Sequence, residues 1–196
     1  MARITTLIIT CLVSTVLYAQ KHISVYGGIN MSSTSTKDFK YNIGWQIGEL
    51  YDIKISDRFY VQPRLSMYYT ANETKENINE RTFISQYGLS LPILASFRMP
   101  VTTNSCLRIN AGPYIQYAIF GKRDGYYKEG AATINSGSLW WHLKFKDKLN
   151  SGAQLGVQYE YKNLIGMFDV KHAFRRSNLN YNGFENTFQL SLGYKF

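Results

Sequence analysis

The chain has 196 residues, of which 45% are apolar, and a formal net charge of +9. This length allows one domain, and the ordinary apolar content excludes a disordered protein. The lysines and arginines form no dense run, so the sequence does not indicate a nucleic-acid partner. The positive charge favours an anionic partner of another class.

The first 19 residues have the layout of a secretory signal peptide. A basic Arg3 precedes an apolar run over 4–17, and the small residue Ala19 follows. The run is too short to span a bilayer stably, so we expect export and cleavage after Ala19. The predicted organisation is a signal peptide over 1–19 and one mature domain over 20–196.

Cleavage would leave Cys106 as the one cysteine of the mature chain, so no intrachain disulfide is expected. After residue 19 no run approaches 18 apolar residues, which excludes a membrane-spanning helix but not a membrane β-barrel. Apolar and polar residues instead alternate with a period of two. The alternation predicts eight strands, at 22–31, 41–55, 58–70, 83–99, 105–120, 152–162, 164–175 and 184–196.

The connections between these segments alternate in length. Short turns are predicted at 56–57, 101–104 and 162–163. The other links are longer and polar, at 32–40, 71–82, 121–150 and 176–183. This pattern is typical of outer-membrane barrels, which have short periplasmic turns and long external loops. An even number of strands also returns both ends of the sheet to the periplasm.

Alternation alone does not distinguish a soluble lipocalin-type barrel, which is apolar inside, from a membrane barrel, which is apolar outside. Two features favour the membrane barrel. The polar faces mix glycines with bulky polar side chains, as a narrow filled lumen requires. The apolar faces carry aromatic residues near the strand ends, where they would meet lipid headgroups. The sequence therefore predicts an all-β fold, an eight-stranded antiparallel up-and-down transmembrane β-barrel, which makes residues 20–196 an outer-membrane β-barrel domain.

The last strand, "TFQLSLGYKF", ends on an aromatic residue. Its apolar face is predicted to contact lipid and carries Phe188, Leu190, Leu192, Tyr194 and Phe196. Such a strand resembles the recognition signal that the barrel-assembly machinery reads in bacterial outer-membrane proteins. We therefore predict an assembly signal in these five residues, with that machinery as a partner. The alternative is the last strand of an ordinary secreted β-domain.

Charged residues on the polar faces predict a network inside the lumen. Its members are Asp52, Arg58, Arg64, Arg98, Arg108, Glu160, Asp169, Lys171 and Glu185. The interior of an eight-stranded barrel is just wide enough for its own side chains, so open porin conduction is not expected. Because an unpaired buried charge is costly, these groups most simply pair with one another. A narrow anion-preferring path is the alternative.

The three histidines are the obvious catalytic candidates, and none predicts a site. His22 begins the first strand. His172 and Asp169 lie on opposite faces of one strand, so they cannot act together through local spacing. The link that contains His142 also contains Ser136, Ser138 and Asp147. That set would suit a loop-sited hydrolase or acyltransferase, but it arises easily by chance. No spacing indicates zinc or a nucleotide, so we predict no enzyme, no metal and no cofactor.

The longest predicted link, 121–150, combines paired aromatic residues with lysines and arginines. The aromatic pairs are Tyr126, Tyr127, Trp140 and Trp141. One interpretation places them at the outer membrane interface, with the basic residues bound to lipopolysaccharide phosphates. The other is a recognition surface for a protein, a glycan or a secretion partner, since long loops on a rigid scaffold often carry function.

Several stretches in order resemble the PorT-like outer-membrane β-barrel family of Bacteroidetes. They read "GWQIGELYDIKISDRFYVQPRLSMYY", "QYGLSLPILASFRM", "AGPYIQY", "SGAQLGVQYEY" and "LSLGYKF". The chain departs from the family pattern at Ser90, where an acidic residue is frequent, and at Asn150 and Ser151, where an Asp often precedes Gly. The resemblance implies an outer-membrane location and a barrel similar to those of OmpA and OmpX. By analogy, it also implies a role in protein secretion.

Overall fold

The computed structural model describes residues 23–34, 42–77, 80–127, 133–135, 148–174 and 185–196. The predicted signal peptide over 1–19 lies outside this part of the chain. Within the described ranges, no helix is both long and apolar enough to cross a membrane.

Ten β-strands are assigned over these residues. They are β1 Ile23–Thr34, β2 Asn42–Tyr51, β3 Ile53–Lys54, β4 Phe59–Asn77, β5 Glu80–Thr102, β6 Ser105–Tyr127, β7 Thr133–Asn135, β8 Leu149–Tyr161, β9 Leu164–Ala173 and β10 Glu185–Lys195. β3 continues the path of β2 beyond Asp52, and β7 is a short strand that pairs only with β6. The other strands and the joined β2–β3 path form an eight-stranded wall.

The wall closes on itself. Antiparallel pairing runs in the order β2-β1-β10-β9-β8-β6-β5-β4, and β2 also pairs with β4. The first and last strands pair along their whole length, from Ser24 opposite Lys195 to Thr34 opposite Glu185. The prediction of a closed, eight-stranded, antiparallel up-and-down barrel is therefore confirmed.

The two faces of the wall follow the predicted alternation. In β8, for example, Gln154 is 2% exposed and points inward, whereas Leu155 is 59% exposed and points outward. Large apolar side chains point outward around the barrel, among them Val25, Ile29, Ile43, Ile47, Met67, Leu89, Ile93, Ile109, Ile115, Val157, Phe168 and Leu190. An apolar surface of this extent is unsuited to water, so the outer face matches a hydrocarbon environment.

Aromatic contacts mark two levels of the outer face. Phe59 and Phe97 lie near one end, with ring centroids 5.0 Å apart. Tyr69 contacts Tyr87 at 4.7 Å and Trp45 at 6.5 Å near the other end. Ten residue steps separate Phe59 from Tyr69 along β4, so a strand tilted as in membrane barrels would place the two levels about 25 Å apart. That is the height of the apolar band of an outer-membrane barrel.

The short turns lie where they were predicted, at 55–58, 103–104 and 162–163. In the first, the amides of Ile55 and Ser56 both donate to the carbonyl of Phe59. In the last, Lys162 has a φ of 53°, a left-handed conformation that a two-residue hairpin requires. All three turns lie at one end of the barrel, called here the short-turn end, together with the start of β1 and the end of β10.

The hairpins at the opposite end are longer than the sequence predicted. The links expected at 71–82 and 121–150 begin as strand, because β4 continues to Asn77, β5 starts at Glu80 and β6 continues to Tyr127. The alternation of apolar and polar residues ends there. Antiparallel strands can still pair without this alternation where both faces of the sheet contact water. These strands therefore extend past the level of Trp45 and Tyr69.

Glycines on the inner face allow adjacent strands to approach closely. A Cβ built at Gly112 would overlap the carbonyl oxygen of Ile93 on the neighbouring strand. Gly166, on the outer face of β9, has nothing within 4 Å of such a Cβ. The inner glycines therefore permit the tight curvature of a small barrel, which a side chain at the same position would oppose.

We predict that Gly112→Ala destabilises the barrel by about 1–3 kcal/mol, because the new methyl group can be accommodated only by moving a strand. The matched Gly166→Ala variant should leave stability unchanged. Heating each variant in detergent before electrophoresis measures the temperature at which the folded band converts to the unfolded one. Equal conversion temperatures for the two variants would contradict this account of Gly112.

Candidate functional site

The lumen near the short-turn end contains a cluster of charges, the short-turn cluster, formed by Asp52, Arg108, Glu160 and Lys195. Nη1 of Arg108 donates to Oδ1 of Asp52 at 2.9 Å, and its Nε lies 2.7 Å from Oε1 of Glu160. The Nε contact is an ion pair without hydrogen-bond geometry. Lys195 lies 3.4 Å from Asp52 and 4.0 Å from Glu160. Each carboxylate therefore has two cations beside it.

The ion pair of Arg64 with Asp169, at 2.9 Å, crosses the centre of the lumen. Both side chains are 3% exposed or less. Arg64 also donates from Nε and Nη2 to the Gln62 side-chain oxygen, at 3.0 and 2.7 Å. Because the Gln62 amide nitrogen donates to Asp52 at 2.8 Å, Gln62 joins the central pair to the short-turn cluster. Gln158 joins them again, with bonds to Arg64 and Glu160.

Lys171 is the buried cation on the far side of the central pair. Its ammonium donates to the Ser90 hydroxyl at 3.0 Å and lies 5.3 Å from the ring centroid of Tyr114. Glu185, also buried, accepts a hydrogen bond from Asn150 at 3.3 Å. Among the described residues, charged and polar side chains are thus bonded at successive levels of the lumen, so this part of the interior is filled rather than open.

The prediction of Arg58 as a lumen residue is wrong. Arg58 is exposed in the turn at 55–58, just before β4 begins, and its backbone carbonyl accepts from the Arg98 amide at 2.8 Å. A period of two gives side-chain direction only within a strand, so it does not apply in a bend. Arg98 is half-buried at the same end, and its Nε donates to the Cys106 sulfur at 3.3 Å. The structure places the other seven predicted network residues inside the barrel.

The sequence did not identify the neutral side chains that connect the charges. Gln62 and Gln158 lie on the polar face of their strands, which is the only sign that a sequence could give. Asn30 has a different role: its side-chain nitrogen donates to the carbonyls of Trp45 and Tyr69, at 3.0 and 3.1 Å. These two residues face each other at the last pair between β2 and β4. Asn30 therefore stabilises the end of the line of pairing between β2 and β4, called here the β2–β4 seam.

The lumen also contains an apolar cluster that the alternation did not predict. Tyr26, Leu50, Ile165 and Met167 are buried together inside the barrel. They fill the space beside the central pair, where Tyr26 and Ile165 both lie opposite the small Gly193. The lumen is therefore filled by packing as well as by ion pairs.

The five residues of the predicted assembly signal all point outward from β10. Their exposure is greatest at Leu192, at 75%. The amide of Phe196 donates to the Ile23 carbonyl at 3.1 Å, and its ring lies 5.3 Å from that of Tyr194. Their recognition by the assembly machinery stays a prediction.

Of the predicted loop aromatics, Tyr126 and Tyr127 lie at the end of β6, where the structure describes only the backbone. Trp140, Trp141 and His142 lie outside the described residues. His172 points outward from β9, and its Nδ1 is 2.7 Å from the Asn186 side-chain oxygen. This contact accounts for Asn186, a polar residue on the apolar face of β10. Among the described residues, no group of three or more His, Cys, Asp or Glu side chains could hold a metal ion.

Comparison with protein families gives one match over most of the chain. The model for the outer membrane protein beta-barrel domain matches residues 18–192. The chain belongs to this family. The protein is thus an outer-membrane β-barrel of the bacterial envelope, and its wall spans that membrane. Barrels of this kind have their short turns in the periplasm, so the short-turn end is the periplasmic end.

Solved outer-membrane barrels are similar to this one in fold. The outer membrane enzyme PagL is 11% identical, with a TM-score of 0.51, and the alignment covers 88% of this barrel and 99% of PagL. Ail, the attachment invasion locus protein of Yersinia pestis, is 12% identical with a TM-score of 0.48, covering 90% and 99%. Neisserial surface protein A is 10% identical with a TM-score of 0.45, covering 89% and 97%. No curated protein matches in sequence.

We predict that Asp169→Ala destabilises this outer-membrane barrel by about 3–5 kcal/mol, because Arg64 would remain buried without its carboxylate partner. Replacing both residues, as Arg64→Met with Asp169→Leu, should recover more than half of that loss. Urea unfolding in detergent micelles measures the three free energies. Asp57→Ala, which removes an exposed carboxylate from a turn, is the control and should change little. A double variant no more stable than Asp169→Ala would contradict the central role of the pair.

Proposed function

We propose that this outer-membrane barrel is a non-enzymatic, closed scaffold that acts as a structural or interaction protein through its extracellular face. The observation that carries the proposal is the filled lumen. Arg64 donates to both Asp169 and Gln158 across its centre, and all three side chains are buried. A solute crossing the barrel would have to break these bonds and leave charges unpaired at low dielectric, which is unfavourable. The function is therefore expected at the ends of the barrel.

The extracellular end is the better candidate for such a role. There β4, β5 and β6 continue as paired strands past the aromatic level of Trp45 and Tyr69, and β7 adds to the edge of β6. The links predicted to be external also carry Tyr126, Tyr127, Trp140 and Trp141 among basic residues. We propose lipopolysaccharide phosphates and an envelope or secreted protein as the partners of this end. The resemblance to the PorT-like family favours a secretion-related role.

The absence of enzymatic activity is part of the same proposal. His172 bonds to Asn186 on the outer face, and Asp169 is buried on the inner face of the same strand. The loop set around His142 lies outside the described residues, so its composition is the only support for an enzyme. The similarity to PagL concerns the fold alone, since a barrel scaffold does not determine the chemistry on it.

We predict that the protein without residues 128–147, bridged by a short Gly-Ser linker, folds normally but does not replace the intact protein in cells. A strain that lacks the gene would be complemented with each form, and the proteins on the cell surface and in the medium would be compared by mass spectrometry. Gly166→Ala is the matched control and should restore the wild-type pattern. Full restoration by the shortened protein would contradict an interaction role for this link.

A second prediction concerns conduction. Because the lumen is filled, the purified barrel should give no sustained unitary conductance in planar bilayers. A triple variant, Arg64→Ala, Arg108→Ala and Gln158→Ala, removes three large side chains that bond across the lumen and serves as the open comparison once its folding is verified by gel mobility. Steady single-channel steps from the unmodified protein would favour the alternative of a narrow ion or small-solute channel.

A further inference from the structure

The periplasmic end of the barrel contains a cavity of about 550 Å³ between its three short turns. Side chains from all three turns line it, including Asp57, Arg58, Asn104 and Lys162, and its inner wall includes Arg98 and Cys106. Small-molecule sites in proteins typically measure roughly 300–1,000 Å³, so this cavity has the size of a binding site. It is separated from the extracellular face by the whole length of the filled lumen.

The two carboxylates that line this periplasmic cavity are already paired. Asp57 lies 2.8 Å from the Lys54 ammonium, whose hydrogen bond lowers the pKa of that carboxyl. Glu160 pairs with Arg108 and Lys195, and it accepts a hydrogen bond from the Cys106 thiol at 3.2 Å. Neither carboxylate is therefore available to repel an anion strongly.

The cations of the cavity outnumber its acids. Counting the short-turn cluster beneath it, six cationic side chains stand against three side-chain carboxylates among the described residues at this end. The cations are Lys54, Arg58, Arg98, Arg108, Lys162 and Lys195, and the carboxylates are Asp52, Asp57 and Glu160. After pairing, the excess positive charge lies on Arg58, Arg98 and Lys162, and all three line the cavity.

The turns that carry these cations are held to one another. The Lys162 amide donates to the Asn104 carbonyl at 2.8 Å, which joins the turn at 162–163 to the one at 103–104. The Arg98 amide donates to the Arg58 carbonyl at 2.8 Å, which fixes the turn at 55–58 against β5. Hydroxyls of Thr102 and Ser105, 2.8 Å apart, add neutral donors to the same wall. The backbone that carries these donors is therefore fixed before any ligand arrives, which lowers the entropy cost of binding.

We propose that this cavity is a binding site for a phosphate-bearing ligand in the periplasm, with Arg58, Arg98 and Lys162 as the groups that bind the phosphate oxygens. Guanidinium groups match the geometry of phosphate with paired hydrogen bonds, and the ammonium of Lys162 adds a mobile charge. The hydroxyl and amide groups of the wall suit the polar remainder of such a ligand. The phosphate belongs either to a soluble periplasmic ester or to an anionic lipid headgroup of the inner leaflet. The site lies at the opposite end from the proposed interaction surface and does not depend on it.

Inorganic pyrophosphate is the probe for the site. We expect saturable binding to the folded full-length barrel by isothermal titration calorimetry, in a phosphate-free alkyl glucoside detergent at low ionic strength. Arg58→Gln with Lys162→Asn should weaken binding by about tenfold or more, since two charge-assisted contacts are lost. Asn is chosen at 162 because it tolerates the positive φ of this position. Neither side chain bonds the lumen network, so the variant should fold, which its gel mobility checks.

The matched control is Lys122→Gln with Lys148→Asn, which removes two positive charges from the other end of the barrel. It should change affinity by less than about twofold, because Lys122 lies roughly 45 Å along tilted β6 from the turn at 103–104, farther than the Debye length of about 30 Å at 0.01 M. Equal weakening by the two double variants would overturn the proposal, since attraction by net charge would then explain binding. Absence of pyrophosphate binding by the wild-type protein, in detergent and in nanodiscs alike, would overturn it as well.

Nanodiscs distinguish the two sources of the phosphate. Pyrophosphate binding that is equal in phosphatidylcholine discs and in discs enriched in phosphatidylglycerol supports a soluble ester as the ligand. Binding that is lost only in the phosphatidylglycerol discs supports occupancy by an anionic headgroup. The dependence on salt is a further measurement that needs no variant. The affinity for pyrophosphate in detergent should fall steeply as ionic strength rises. Binding that does not depend on salt would contradict an electrostatic site.

Discussion

Closure of the sheet is the constraint on which the rest of this structure depends. In hydrocarbon no water is available to bond a free N–H or C=O group, so a sheet can cross a membrane only when its two edges pair. Here β1 and β10 pair along their whole length, whereas the seam between β2 and β4 is shorter, from Trp45 to Leu50. Where the β2–β4 seam ends, the Asn30 side chain donates hydrogen bonds to two backbone carbonyls. Pairing between the strands does not supply these bonds.

Closure at this strand number also determines what the lumen contains. The wall is narrow enough that inner glycines lie against neighbouring backbone, and side chains from opposite strands meet across the axis. Arg64 and Asp169 meet in this way although 105 residues separate them in sequence. A charge on the inner face therefore finds a partner within reach, and neutral amides such as Gln62 satisfy what remains. The small diameter that closes the lumen to solutes thus also brings buried charges close enough to pair, which lowers the cost of placing them inside.

The sequence predicted the wall better than its contents. A period of two assigned nearly every side chain to the correct face, because the membrane outside and the polar lumen inside impose opposite requirements on alternate residues. It could not predict which charges pair, since pairing depends on strand order and register around a closed circle. It failed at Arg58, where the chain leaves the strand, and it did not predict that Leu50, Ile165 and Met167 pack inside. The extended hairpins were missed because strands in water need no apolar face.

The filled lumen also determines how the two ends of the barrel can be related. With Arg64, Asp169 and Gln158 bonded across the centre, a ligand in the periplasmic cavity has no route to the extracellular strands. Any influence between the ends would have to pass through the wall or through the network itself. The network offers a continuous route, because Glu160 bonds both Cys106 at the cavity and Gln158 at the central pair. A ligand that drew Arg98 away from Cys106 would therefore act on the same hydrogen-bonded chain that fills the barrel, without opening it.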